Sequence, residues 1–202
     1  LKSLSGVILI IWLASYPKSG NTWVRSFLSS YYYSERGEFD FSLLKNIEQY
    51  PQKKFFETEI KKPAEVSKYW EVSQKKIIDK KKLKILKTHN SLHSLNGYDF
   101  TSNKFTLGNI YIIRDPRNII TSLKNHFDLN YEDALDFMLN ERKFIHDDRE
   151  KDYADFHFLG SWSQHYKSWL KDKSIKTIFI KYEDLETKTY QTFESIINFI
   201  NN

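Results

Sequence analysis

Residues 7–14, Val-Ile-Leu-Ile-Ile-Trp-Leu-Ala, are an unbroken apolar run that passes directly into Ser15-Tyr16-Pro17-Lys18-Ser19-Gly20-Asn21-Thr22-Trp23. The run has the length of a signal-peptide core, but its Ile/Val/Leu composition and direct entry into a lysine loop read as a buried central strand. Beyond the loop, Trp23, Phe27, Leu28 and Tyr31 recur at helical spacing and predict a helix that packs this face on a sheet. Strand, loop and helix in that order build an anion pocket, because the first amides of a helix lack intrahelical partners and carry the positive end of its dipole. Lys18 adds a full charge, and Ser19, Asn21 and Thr22 add polar side chains. The lysine precedes the glycine by two, so the spacing is not that of a Walker A loop. Taken alone, Pro-Lys-Ser-Gly also reads as an ordinary surface turn.

The rest of the chain repeats the strand and helix alternation. Leu83 to Thr88, Asn109 to Ile113 and Thr177 to Ile180 read as strands. Helices are expected over 64–79, after Pro116, over about 131–146 and 159–171, and at the end around Phe193, Ile196, Ile197 and Ile200. Residues 35–62 read as irregular. In the 159–171 helix Trp162, Tyr166, Trp169 and Leu170 stand at core spacing. Such alternation implies right-handed crossovers and an α/β fold of three layers, a mostly parallel central sheet flanked by helices.

Composition narrows the function. Hydrophobic residues at 40% and charged residues at 28% describe a globular chain with a real core, and no internal repeat or linker divides residues 1–202, so one domain is expected. Eight apolar residues fall far short of the roughly 20 that span a bilayer, so no transmembrane segment is expected. The absence of cysteine excludes disulfides and thiolate metal sites and suits a cytoplasmic location. A net charge of +5 favours an anionic partner, yet the lysines are scattered or in short runs such as Lys80-Lys81-Lys82, and no nucleic-acid module accompanies them, so no nucleic-acid partner is expected.

In open parallel sheets, ligands bind beyond the carboxyl ends of the strands. The residues just past the expected strands are Ser15 to Thr22, His89, Arg114 and Tyr182. Lys87 and His89, two apart at a strand end, can face one crevice, and His89 is the best candidate base because imidazole titrates near neutrality. A structural loop histidine is the plain alternative. His93 four residues on invites a metal reading, which a loop with Ser91, Asn96 and Gly97 and no third ligand does not favour. Arg114 suits bidentate phosphate binding and Ser122 stands two turns into the following helix; an Arg114 pair with Asp115 is the ordinary alternative.

Together these segments resemble the sulfotransferases that use 3′-phosphoadenosine 5′-phosphosulfate (PAPS). Tyr16 to Trp23 is similar to their 5′-phosphosulfate loop, Ile113 to Asn118 with Ser122 to their 3′-phosphate segment, and Leu86-Lys87-Thr88-His89 to the strand with the catalytic histidine. Gly160-Ser161-Trp162 with His165 and Trp169, and Lys181-Tyr182-Glu183-Asp184-Leu185, match two further family segments in the same order. The resemblance implies a P-loop nucleoside-triphosphatase-like fold and a catalytic set of His89, Lys18, Lys87 and Ser122. His89 is then the base toward a hydroxyl or amine acceptor, Lys18 serves the leaving oxygen and Lys87 the moving sulfuryl group. Arg114 and Ser122 would hold the 3′-phosphate, the backbone of Ser19, Gly20, Asn21 and Thr22 with Lys18 the 5′-phosphate, and Trp23 and Tyr182 would border the adenine. No metal is implied. Asn21 stands where the family loop often has threonine, with the same capacity to hydrogen-bond phosphate. The 202 residues stop ahead of the family's Arg-Lys-Gly segment, so a domain without that cofactor-closing piece is expected. The expected acceptor is a small molecule, lipid or carbohydrate, and the sequence does not choose among them. A non-catalytic nucleotide-binding remnant is the alternative, and a P-loop kinase a more distant one, since no Gly-Lys-Ser/Thr and no strand-end magnesium aspartate is evident.

Overall fold

The computed structural model describes residues 9–78, 84–149 and 151–202. Val7, Ile8 and Leu83 of the expected strands, the last residue of the expected 64–79 helix and the run Lys80 to Lys82 lie outside the described residues. In chain order the elements are β1 (Ile10–Ser15), α1 (Asn21–Tyr33), three 3-10 turns (Phe41–Asn46, Lys53–Phe55, Pro63–Tyr69), α2 (Trp70–Ile77), β2 (Lys84–Thr88), β3 (Thr106–Ile113), α3 (Pro116–Phe127), α4 (Tyr131–Leu139), β4 (Phe144–Ile145), β5 (His157–Phe158), α5 (Trp162–Lys171), β6 (Thr177–Lys181), α6 (Tyr182–Thr187) and α7 (Thr189–Asn201).

Four strands form one parallel sheet in the order β2-β1-β3-β6, with β4 and β5 pairing separately as a short antiparallel ribbon. The apolar run lies at the centre, and every residue of β1 is buried. Successive side chains of a strand point to opposite faces, and β1 divides accordingly. Ile11 and Leu13 enter a core with Val24 and Leu28 of α1 and Ile196 and Ile200 of α7. Ile10, Trp12 and Ala14 enter the other core, with Trp70 of α2 and Trp169 of α5. Each Ile or Leu fully buried this way contributes about 1.5–3 kcal/mol. Trp12 keeps its one polar atom satisfied there, its Nε1–H donating to Thr106 Oγ1 at 2.9 Å. A third cluster, with Tyr16, Ile119, Leu123 and Phe137, ties the loop after β1 to α3 and α4.

Several local expectations change. On α1 the face against the sheet is Asn21, Val24, Leu28, Ser29 and Ser30, while Trp23 and Tyr31 are exposed. Small side chains let the helix approach the strands, and the aromatic strip turns sideways, Phe27 stacking on Phe193 of α7 at 3.8 Å between ring centroids. The expected 131–146 helix ends at Leu139, where Asn140 is extended and its Oδ1 accepts from the Arg142 amide; the chain then enters β4. On α5, which begins at Trp162 with a Ser161–Gln164 capping box, the buried face is His165, Ser168 and Trp169, one residue round from the expected one. The expected 64–79 helix is a 3-10 turn up to Tyr69 and α-helical from Trp70.

Candidate functional site

The chain steps from β1 to β2 on one side and then returns to β3 on the other, so the strand order reverses between β1 and β3. Such a switch point opens a crevice at the carboxyl ends of the two strands. Arg114, just past β3, reaches across it and donates from Nη1 to the Lys18 carbonyl at 3.0 Å. The cleft above has a volume of about 520 Å³, and Lys18, Gly20, Asn21, Thr22, Trp23, Lys87, His89, Arg114, Ser122 and Tyr182 all line it. Ser19 stands beside them in the loop, buried. Four strand ends do converge on one site.

The loop is built for close approach. Gly20 has φ +97°, and a Cβ on it would lie 2.5 Å from Tyr182 Cδ2, so only glycine seats the loop against that ring. Lys18 is itself left-handed at φ 66°, an uncommon conformation for a residue with a side chain and one that collects at functional sites. The first bond of α1 runs from the Trp23 amide to the Gly20 carbonyl at 3.0 Å, leaving the Asn21 and Thr22 amides ahead of it. No side chain caps this helix and no acidic residue stands in its first turn. The Asn21 side chain does not face outward, however. Its Nδ2 donates to the Leu13 carbonyl at 3.1 Å and to Ser15 Oγ at 3.2 Å, clamping α1 to the end of β1. Of Asn21, the backbone amide is what remains for an anion, which corrects the expectation that its side chain replaces a phosphate-binding threonine.

Arg114 does not pair with Asp115. That carboxylate caps α3 and pairs with the exposed Arg117, whose Nη2 lies 2.5 Å from Oδ2. Arg114 instead lies flat on Tyr182, its Cζ 3.9 Å from the ring centroid, a cation–π contact that orients the guanidinium. The Tyr182 ring also meets Trp23 edge to face at 6.0 Å.

His89 is held by its backbone neighbour. Nδ1 donates to the Ser15 carbonyl at 2.8 Å, so Nε2 carries the lone pair. Its backbone is fixed in turn by His165, whose Nε2 donates to the His89 carbonyl at 3.0 Å while Nδ1 accepts from the Tyr111 hydroxyl at 2.8 Å. Burial, then the charge of Lys87, push the His89 pKa well below its ordinary value, so the ring is neutral at pH 7. Burial likewise drives His165 and His157 down to about 3. Lys87 falls to about 8, from burial first and the nearby Arg25 second.

Two partners were not visible in the sequence. Gln49, from the segment read as irregular, accepts from Lys87 Nζ at 2.6 Å and donates through Nε2 to His157 Nε2 at 3.2 Å. The backbone of 48–50 continues the sheet beside Lys87, whose amide donates to Glu48 and whose carbonyl accepts from Tyr50, both at 2.8 Å. His157 stands 6.1 Å from His89, ring to ring, and His126 and Phe127 at the end of α3 also line the cleft. Gln49 lies 108 residues from His157, and no local pattern announces such a contact. Among the described residues no group of three or more His, Asp or Glu able to hold a metal occurs. His93 stands apart, near Phe158.

The model of the sulfotransferase domain matches residues 10–202. The chain belongs to the sulfotransferase-domain family. No curated protein sequence matches it. Among solved structures, mouse sulfotransferase SULT7A1 complexed with PAP superposes with a TM-score of 0.55 at 21% identity, over 95% of this chain and 58% of that one. Retinol dehydratase in complex with retinol and PAP gives 0.56 at 17% identity, over 95% and 59%; the same enzyme with androsterone and inactive cofactor PAP gives 0.55 at 15%. At these identities the likeness is one of fold. This sulfotransferase-family chain spans less than two thirds of the length of those relatives. Among its described residues no helix is long and apolar enough to cross a membrane.

Proposed function

We propose that the cleft transfers a sulfuryl group from PAPS to a hydroxyl or amine acceptor, with residues 1–202 acting as one domain. The observation that carries this reading is the neutral His89, its Nδ1 committed to the Ser15 carbonyl, in one cleft with Lys18, Arg114 and Ser122. The residues fit the nucleotide. Ser19 Oγ and Arg114 Nε are buried polar atoms with no hydrogen-bond partner, a costly state that an anion relieves. PAPS, when bound, supplies the sulfuryl group and a phosphate as its leaving partner.

The chain supplies position and charge. The amides at the start of α1, with Ser19 and Lys18, hold the 5′-phosphate; Arg114 and Ser122 hold the 3′-phosphate; Trp23 and Tyr182 border the base. His89 Nε2 takes the proton from the acceptor, and its lowered pKa keeps it free to do so at neutral pH. Lys18 places a cation where charge builds on the leaving oxygen, and Lys87, steadied by Gln49, does the same for the sulfuryl oxygens. Charge stabilisation at Lys18 and the helix end requires no metal.

Mass spectrometry of PAPS incubations with an acceptor panel tests this. His89→Ala should lower turnover about 10²- to 10⁴-fold, and Lys18→Ala about 10²- to 10³-fold. A folded His89→Ala protein with wild-type turnover removes His89 from the mechanism.

A further inference from the structure

Gln49 lines two cavities. One is the cleft just described; the other has a volume of about 430 Å³. The nucleotide-handling groups, Lys18, Arg114, Ser122 and Trp23, stand at the β1/β3 crevice, whereas Lys87 and His89 stand at the end of β2, where Gln49 binds the Lys87 ammonium. Among the described residues Gln49 is the one that lines both cavities, so a molecule that occupies both lies along it.

The described residues lining that cavity are polar or charged apart from Ala154, although the carbons of their side chains give it as much apolar as polar surface, the mixture a sugar ring presents. Gln52 and Lys53 form part of one wall, and Asp147, Asp152 and Asp155 part of the other. Most of the charged side chains are paired, Asp147 with Arg149 among them, and Asp155 meets a histidine. Lys53 Nζ lies 3.3 Å from Asp152 Oδ2, and Asp155 Oδ1 lies 2.5 Å from His146 Nδ1. Lys54, also on the wall, pairs with Glu48. A lining of polar groups whose charges are mostly paired does not select a polycation. It suits a neutral molecule with many hydroxyls, each able to donate to a carboxylate and accept from a lysine or amide. Asp152 provides the sharpest sign. Its side chain is 3% exposed, its Oδ1 accepts from the Ala154 amide at 3.1 Å, and its Oδ2, facing Lys53, has no hydrogen bond. Lys53, itself largely exposed, is what covers this oxygen, so a ligand hydroxyl that displaces the lysine finds there a carboxylate oxygen with no other hydrogen bond.

We propose that the acceptor is a carbohydrate-like polyol bound in the cavity between Gln49 and Asp152, its reacting hydroxyl directed past Gln49 to His89. This rests on the sulfuryl-transfer reading of the neighbouring cleft. The rival is an apolar acceptor on another side, where Phe127 and Ile145 border a second extension with Phe137 and Phe144.

Saturation-transfer NMR with a methyl glycoside, a disaccharide, 4-nitrophenol and a steroid, each added to the chain in the presence of adenosine 3′,5′-bisphosphate, decides between them. The glycosides should bind, and Asp152→Ala and the milder Gln52→Leu should each weaken them about tenfold to hundredfold with bisphosphate binding unchanged. Melting curves establish that the variants fold, and Gln52→Leu carries the test should Asp152→Ala unfold. The proposal is overturned if only the phenol or steroid binds, if no glycoside binds, or if glycoside binding ignores both substitutions. Failure of the bisphosphate itself to bind would instead overturn the reading of the first cleft.

Discussion

Mild acid should unfold this protein through its buried histidines. His157 and His165 are 1% and 0% exposed, with pKa values driven to about 3 by burial, whereas a histidine in the unfolded chain titrates near 6.5. Both folded pKa values are depressed, so between about pH 3 and 6.5 the unfolded state binds more protons and stability falls as pH falls. Each ring then costs about 2 kcal/mol at pH 5 relative to pH 7.5, the pair about 4, a large part of the 5–15 kcal/mol typical of a domain. His89 shifts in the same direction and adds to the loss. The two most strongly shifted carboxylates fall outside this window. Asp115 and Asp147, held at about 2 by hydrogen bonds from Arg117 and Arg149, lose their share only below about pH 4. Urea unfolding at half-unit steps from pH 4.5 to 7.5 measures the effect. His157→Gln, which removes one titrating ring, should reduce the slope below pH 6 by about 1.4 kcal/mol per pH unit. A stability that is flat from pH 7.5 to 5, or a slope untouched by His157→Gln, refutes the reasoning.

Gly20→Ala should destabilise the fold by about 1–3 kcal/mol, from a left-handed backbone and a methyl against Tyr182, and should displace the ring on which Arg114 rests; denaturant melts and bisphosphate titration measure the two losses. Activity should decline above about pH 8 as Lys87 loses its proton, and Gln49→Glu, with a carboxylate beside Nζ, should move that limb upward by about one unit or more, read from a pH–rate profile. A limb that stays in place in Gln49→Glu assigns it to another group.

What the sequence displays is what local pattern and parallel-sheet topology together determine. An apolar run without alternation must be covered on both faces, and β1 is; strand ends must face one crevice, and the loop, His89, Arg114 and Tyr182 do. The misreadings share a cause. Trp23 and Tyr31 look like core because they are large and apolar, but a helix laid close on a sheet buries Ser29 and Ser30 more readily. The 131–146 pattern runs on through Phe144 and Ile145, yet those two belong to the β4–β5 ribbon. That ribbon carries His157 to Gln49, a meeting of segments about a hundred residues apart that neither segment encodes by itself.

The central claim is that the crevice between β1 and β3 holds a 3′-phosphorylated adenosine nucleotide, and calorimetric titration with adenosine 3′,5′-bisphosphate tests it most directly. The account predicts one site per chain, weakened at least tenfold by Lys18→Ala and by Arg114→Ala, and a much weaker response to ATP with magnesium, about 1.4 kcal/mol per tenfold step. Binding of ATP with magnesium as tightly as the bisphosphate, or bisphosphate binding indifferent to both substitutions, would contradict it.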